Sequence, residues 1–353
     1  MNQDLSQQLQ QQVVTAAALR QTLQIRGGNS KAFLGQPCEA TSLDVSQHRG
    51  IVSYDPVELV VTARAGTPIK ALEQVLADNN QMLPFEPPHF GENATLGGTI
   101  AVGLSGPSRP FAGSVRDYVL GVKMINGRGE ILRFGGQVMK NVAGYDCSRL
   151  MAGAMGTLGV LLEISLKVLP KPAAEITLIQ TMSANQALET MYAWAAKSIP
   201  LSAACYDGKQ LYLRLSGSAS AVAGTATLVG GDALDNGADF WRQIKEHQYP
   251  FFQTEQPLWR LSLPATAPLL ELPGQWLIDW GGAQRWLASD ADAEQIREQT
   301  KSAGGHATLF RNAAAKTDRF QTPDQAVMVL HKRLKNSFDP KGILNPGRLY
   351  TDL

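Results

Sequence analysis

The sequence predicts an α+β protein of two domains, and three observations carry that prediction. At 353 residues the chain exceeds the length at which one hydrophobic core usually divides into two. Its 33 glycines are uneven, with 5 in residues 1–90, 15 in residues 91–160 and 13 in residues 161–353. Glycine is costly to order, so the dense portion needs tight turns or close backbone approach. From about residue 174 to 334 glycine thins out and strand-like runs alternate with helical ones. That pattern reads as an antiparallel sheet covered by helices.

The elements follow in order. Residues 5–20 predict a helix with Leu5, Leu9, Val13 and Ala16–Ala17 near one face. A strand at 23–26 runs into Gly27-Gly28-Asn29-Ser30-Lys31, and another follows at 42–45. Residues 58–65 alternate as a strand, and Thr67-Pro68 opens a helix bearing Ile69, Leu72 and Leu76. A short helix is expected over 95–104. Residues 118–125 and 130–134 read as strands parted by the hairpin signal Asn126-Gly127. Residues 160–168 alternate as a half-buried strand, with Glu163, Ser165 and Lys167 on the polar side. Pro170 and Pro172 then place a domain boundary at 172/173. Beyond it, strands are expected at 176–181, 201–206, 211–215, 259–263, 276–280 and 307–310. Helices are expected at 185–196, 239–246, 291–302 and 323–338.

Composition excludes several function classes. With 32 basic and 31 acidic side chains and no run of like charge, the chain lacks the basic stripe of a nucleic-acid binder. The polar opening, without a basic residue before Arg20, predicts no signal or transit peptide. No apolar stretch is long enough to predict a membrane span. Cys38, Cys147 and Cys205 are far apart, which argues against a metal or iron–sulfur site in this chain and fits a reducing cytoplasm.

Chemistry concentrates in three glycine-bearing segments. In the first, Arg26 to Lys31, two glycines allow the backbone to turn N–H groups inward as a nest for an anion; an ordinary Gly-Asn turn is the bland alternative. No GK[ST] follows, and no G-x-G-x-x-G follows the first strand. The second runs from Glu86 and Pro87 through Ala94-Thr95-Leu96-Gly97-Gly98 to Gly113-Ser114-Val115-Arg116-Asp117. Glycines just inside a helix start let a diphosphate approach exposed N–H groups. The third contains Lys140, Gly144 and Tyr145, then Gly156-Thr157-Leu158-Gly159-Val160. Each alone reads as a glycine-rich loop; three of them separated by strands read as one shared ligand site.

Together with Asp339-Pro-Lys-Gly-Ile-Leu-Asn345-Pro-Gly-Arg348, these segments resemble the FAD-binding oxidoreductases of the p-cresol methylhydroxylase and vanillyl-alcohol oxidase (PCMH) type. Within that group the chain is similar to the smaller FAD-binding subunits of bacterial glycolate oxidases. The most specific match is FGGQVMKNVAGYDCSRLMAGAMGTLGVLLEISLKVLP, residues 134–170. The resemblance implies a two-subdomain PCMH-type FAD-binding domain over 1–172, completed by 339–353, and an α+β cap over 173–338. It implies that Gly27, Gly28, Asn29 and Ser30 meet the FAD pyrophosphate, with Arg26 and Lys31 flanking them. Pro87, Ala94, Thr95, Gly97, Gly98, Gly113, Ser114, Arg116 and Asp117 would form a second wall, and Gly144, Thr157, Gly159 and Val160 a third. Asn345 would return beside the ring system.

Two departures shape the expected chemistry. Covalent flavoproteins of this type often carry histidine in the first loop, where this chain has Asn29, so non-covalent FAD is expected. Hydroxy-acid dehydrogenases of the same fold carry clustered cap histidines, whereas His48, His89, His247, His306 and His331 are dispersed. No metal site and no catalytic residue are therefore assigned. Arg109 and Arg116 remain as arginines able to clamp a carboxylate, against the commoner role of a solvated ion-pair residue. Trp276, Trp280 and Trp286 read as packing residues. The implied function is glycolate oxidation or relay of its electrons beside a sister FAD-binding 2-hydroxy acid dehydrogenase subunit and an iron–sulfur subunit. The complex would be cytoplasmic or held at the inner membrane through a partner. The alternatives are a non-catalytic structural subunit, or a stand-alone flavin oxidoreductase acting on a sugar alcohol or lactone.

Overall fold

The computed structural model describes residues 2–136, 146–312 and 317–353. The chain forms two compact units. The first joins residues 1–104, 114–170 and 322–353, and the second joins 105–113 with 171–321. Two segments fall differently from the sequence boundaries. Residues 105–113 group with the second unit, and the helix expected at the end of the cap groups with the first.

The first unit opens with α1 (Ser6–Leu19), which buries Leu9, Val13, Ala16 and Ala17 on one face and stops at left-handed Arg20. Next come β1 (Leu23–Arg26) and β2 (Thr41–Asp44), paired in parallel from Leu23↔Thr41 to Arg26↔Asp44. The chain continues through β3 (Ile51–Asp55), β4 (Val60–Arg64), α2 (Ile69–Ala77), β5 (Gln81–Met82) and α3 (Leu96–Val102). The turn α4 (Arg109–Ala112) belongs to the second unit. Then follow α5 (Val115–Tyr118), β6 (Val119–Ile125), β7 (Ile131–Gly135), α6 (Cys147–Leu150), β8 (Val160–Lys167) and β9 (Leu169–Pro170). Five strands make an antiparallel sheet in the order β3-β4-β8-β6-β7.

Two differences from the expected elements have clear causes. The β6–β7 hairpin turns over residues 126–130 rather than on the Asn-Gly pair alone. Asn126 Oδ1 accepts from the N–H of Arg128 and of Glu130, at 2.9 and 3.0 Å, and Gly129 takes the positive φ. Strand β8 is buried on both faces rather than one, because one core packs on Ile164 and Leu166 and another on Val160 and Leu162. Its polar residues are matched: Lys123 donates to Glu163 at 2.9 Å, and Ser165 shares a 2.8 Å hydrogen bond with Thr62. One core sets Ile69, Leu72 and Leu76 of α2 against Ile164 and Leu166. Another sets Leu9 and Val13 of α1 against Val160, Leu162, Ile343 and Leu344. Both cores lie within the first unit.

The second unit is built on an eight-stranded sheet. Its elements are β10 (Ala174–Thr181), α7 (Ala184–Ala195), β11 (Leu201–Tyr206), β12 (Gln210–Gly217), α8 (Ala219–Val229), β13 (Asp232–Ala233), α9 (Gly237–Glu246), β14 (Leu258–Ser262), β15 (Gln275–Asp279), β16 (Gln284–Ala288), α10 (Ala293–Ser302) and β17 (His306–Arg311). The order is β13-β10-β12-β11-β15-β16-β14-β17, antiparallel throughout. Helices start where the sequence supplies caps, as with the reciprocal Ser183/Gln186 box of α7 and Asp292 before α10. The antiparallel sheet with covering helices is the architecture the alternating pattern implied. In the first unit, α11 (Gln325–Phe338) leads to the C-terminal segment.

Candidate functional site in the first unit

A cavity opens where the end of β1, the start of α3, the loop before β8 and the C-terminal segment meet. The loop after β1 reaches it because of glycine. A Cβ on Gly28 would stand 1.3 Å from the carbonyl oxygen of Asn93, and one on Gly27 would stand 2.4 Å from Thr95 Oγ1. The glycines are therefore required by packing of loop on loop, and the backbone path, not the missing Cβ itself, faces the cavity. Thr95 caps α3, its Oγ1 accepting from Gly98 N at 3.3 Å. Gly97 N donates to Ala65 O at 2.7 Å, which ties α3 to β4.

Three cations line the cavity, Arg26, Lys31 and Arg348, and no acidic side chain does so among the described residues. Lys31 is buried, and its ammonium donates to the backbone oxygen of His89 at 3.1 Å and to Ser30 Oγ at 3.4 Å. Arg348 donates to Gln36 O at 2.6 Å and to Ala32 O at 2.8 Å. These oxygens orient the charges. Val45, Ala101, Val102, Met151, Met155 and Leu161 supply apolar wall. Cations beside an apolar surface fit a ligand with an anionic middle and a flat apolar end, which is the chemistry of FAD.

Asn345 is the brace of the site. Its Oδ1 accepts from Ile25 N at 2.7 Å and its Nδ2 donates to Met155 O at 2.6 Å. Its own N–H donates to Leu23 O at 2.9 Å. One side chain thus fixes β1 against the loop that carries Gly156, whose φ is +74°. Behind it, buried Lys335 donates to Thr157 O, Leu344 O and Asp339 Oδ2 at 2.8, 2.7 and 2.8 Å. Burial pushes the Lys335 ammonium pKa below its ordinary value, and the Asp339 hydrogen bond acts in the opposite direction.

The cavity brings together Arg26, Gly27, Gly28, Asn29, Ser30, Lys31, Thr95, Gly97, Gly98, Gly159 and Asn345 of the residues expected from sequence. Others expected there do not line it. Pro87 and Ala94 are buried in the fold. Val160 packs into the core under α1, and the Thr157 hydroxyl donates to Ala154 O at 2.7 Å. Ser114 and Asp117 form the capping box of α5, and the Arg116 side chain is 69% exposed. Gly113 lies in the second unit. Gly144, Lys140 and Tyr145 lie outside the described residues. The main omission was Arg348, whose signal was its place at the end of the C-terminal motif. Met151, Ala154 and Met155 were also missed because they look like ordinary core.

The histidines take separate roles. His89 pairs with Glu73 at 3.1 Å. Buried His247 stacks on Phe252 with ring centroids 4.0 Å apart and meets Trp286 edge-on at 4.6 Å. Burial holds its pKa well below the ordinary value, with nearby Arg311 and Arg260 acting in the same direction. Among the described residues no three His, Cys, Asp or Glu side chains group as metal ligands, and no helix is long and apolar enough to cross a membrane.

Residues 5–135 match the FAD binding domain family. Over 350 residues, 99% of both chains, the sequence is 50% identical to the glycolate oxidase subunit GlcE of Escherichia coli (strain K12). It is 35% identical over 130 residues to the glycolate oxidase subunit GlcD of Bacillus subtilis (strain 168), covering 36% of this chain and 27% of that one. A D-lactate dehydrogenase of Anaerostipes hadrus is 34% identical over 138 residues, 39% of this chain and 28% of that one. Among solved structures, an alkyldihydroxyacetonephosphate synthase superposes with a TM-score of 0.68 at 16% identity, covering 97% of this chain and 76% of that one. That likeness is one of fold.

Proposed function

The chain belongs to the family of the glycolate oxidase subunit GlcE, and from that premise we propose that it is the FAD-holding subunit of a complex that oxidises glycolate to glyoxylate or relays the electrons of that oxidation. The observation that carries this reading is the first unit's cavity, lined by Arg26, Lys31 and Arg348 with no acidic side chain among the described residues. When bound, FAD supplies an acceptor for the hydride of an alcohol carbon. The chain's own part is to bind and orient. Lys31 and Arg348 offset the diphosphate charge, the 27–31 backbone offers N–H donors, and Asn345 keeps β1 and the Gly156 loop at a fixed separation.

The FAD is held without a covalent bond. Asn29, left-handed at φ +62°, stands in the loop where covalent relatives carry histidine, and an amide is no nucleophile toward a flavin methyl. The partners are a sister FAD-binding 2-hydroxy acid dehydrogenase subunit and an iron–sulfur subunit. The described cysteines are dispersed, with Cys38 and Cys205 buried and Cys147 half-buried, so single-electron transfer is assigned to a partner. The complex is placed in the cytoplasm, with any membrane attachment through a partner. Purification of the chain followed by acid precipitation tests the reading. Flavin in the supernatant at about one per chain is expected, and iron appears only in the co-purified complex. A chain that never carries flavin is a structural subunit instead.

A further inference from the structure

Helix α11 changes character along its length. In its second half Leu334 and Phe338 pack on the core of α2 and β8, and Lys335 is buried. In its first half Ala326, Val327, Val329 and Leu330 are all exposed. Val327 is 43%, Val329 42% and Leu330 62% exposed, three of the ten large apolar side chains that stand exposed among the described residues. Val327 lies seven residues before Leu334, and Phe338 four after it, so the three share one face. The stripe that meets the core at one end of the helix therefore runs on uncovered at the other. Valine is a modest helix former, so propensity does not account for two of them here.

The apolar patch extends beyond the helix. Leu330 stands one turn before Leu334, which lines a cavity with Leu150, Leu158, His331, Leu349 and Leu353; Leu150 is itself 36% exposed. All of these residues lie in the first unit. Clustered exposed apolar side chains of this kind mark a contact surface. Two features name what covers it. The first is position: Met151, Met155 and Gly156 face the cofactor cavity, Ala152, Gly153 and Leu158 face this one, and Ala154 lines both. One loop separates the patch from the FAD site, so a single-electron acceptor seated here would stand next to the flavin. The second is charge. Arg333 is exposed one turn after Val329 and Leu330, and no carboxylate pairs with it among the described residues. Its neighbour Lys332 is paired, with Asp352 at 3.2 Å, and Arg149 pairs with Asp146 at 2.9 Å. A cation at the rim of an apolar patch is complemented by a carboxylate beside apolar side chains.

We propose that the first half of α11, with Leu150 and the adjoining cavity, is the docking surface for the iron–sulfur subunit, through a segment that sets a carboxylate beside apolar side chains. The partner's identity rests on the reading of this chain as the FAD-holding subunit of such a complex. The test is to co-produce the tagged full-length chain with the iron–sulfur subunit and the sister flavoprotein subunit, purify under native conditions, and assay iron, flavin and each subunit. Iron retained per tagged chain is expected to fall about tenfold or more in Leu330→Glu and in Arg333→Glu. Leu228→Glu, on the second unit and also 62% exposed at the parent residue, should keep it. Glutamate suits an exposed helix position, so flavin content and unfolding midpoint should match the parent's in all three. Parent-level iron in both α11 variants overturns the proposal and leaves the complex reading standing. Loss of the sister flavoprotein subunit with iron retained overturns it too, as does a self-paired chain, without iron, that Leu330→Glu separates. A parent chain that holds flavin but retains neither subunit overturns the complex reading and the docking surface together.

Discussion

The two units hold positive charge in different ways. In the first, Lys31 and Arg348 donate to backbone carbonyls of His89, Gln36 and Ala32. In the second, Arg260 leans on a side chain, Gln284, and on the ring of Trp280. The first arrangement depends on the path of the main chain, so changes that move the backbone should damage it most. The second depends on side chains from strands far apart in sequence, and should respond to single side-chain replacements with the fold intact.

The largest effect is expected behind the first site. Lys335→Met leaves Asp339 buried without its cation and should destabilise the chain by about 3–5 kcal/mol, read from denaturant unfolding. Gly28→Val comes next. Its side chain collides with Asn93 O, so the 27–31 loop must move, at a cost of about 1–3 kcal/mol and with loss of FAD. If FAD affinity is retained, the loop does not hold the cofactor.

A pH effect sharpens the contrast for the second unit. His247 has a folded-state pKa well below its unfolded value of about 6.5. The unfolded chain therefore binds the extra proton, and stability falls as pH drops below about 6.5 until the folded pKa is reached. His48, also lowered by burial, adds a contribution of the same sign. His247→Phe should remove up to about 1.4 kcal/mol per pH unit of that slope between pH 6 and 5; an unchanged slope contradicts the assignment. The smallest effect is expected from Arg116→Ala. Its side chain is solvated and off the cavity, so flavin affinity measured by fluorescence should not change.

The same contrast explains what could be read from the sequence. The strand before Gly27 and the cap at Thr95 were legible because backbone-made sites need glycine, capping residues and turns at particular positions; the C-terminal return at Asn345 was implied only by the family resemblance. Strand β3 was missed because it is an edge strand that leaves Val52 exposed, so its burial does not alternate. Strand β16 was missed because Gln284 and Arg285 look like surface residues. Arg285 is fully buried, donating to the carbonyls of Gly282, Pro268 and Ala267. Helix α8 was missed because its small residues give it little amphipathic pattern. Arg260 carries no local signal at all. Its neighbours Thr308 and Trp286 are brought to it by sheet register, which no short window of sequence contains.

The central claim is that carbonyl-oriented cations in the first unit hold FAD without a covalent bond. Titration of FAD into the flavin-stripped chain, compared with Lys31→Met, tests it most directly. Saturable binding by the parent chain is expected, with affinity lower by about tenfold or more in the variant and acid releasing the flavin from both. Equal affinities, or flavin that stays with the acid-precipitated protein, would contradict it.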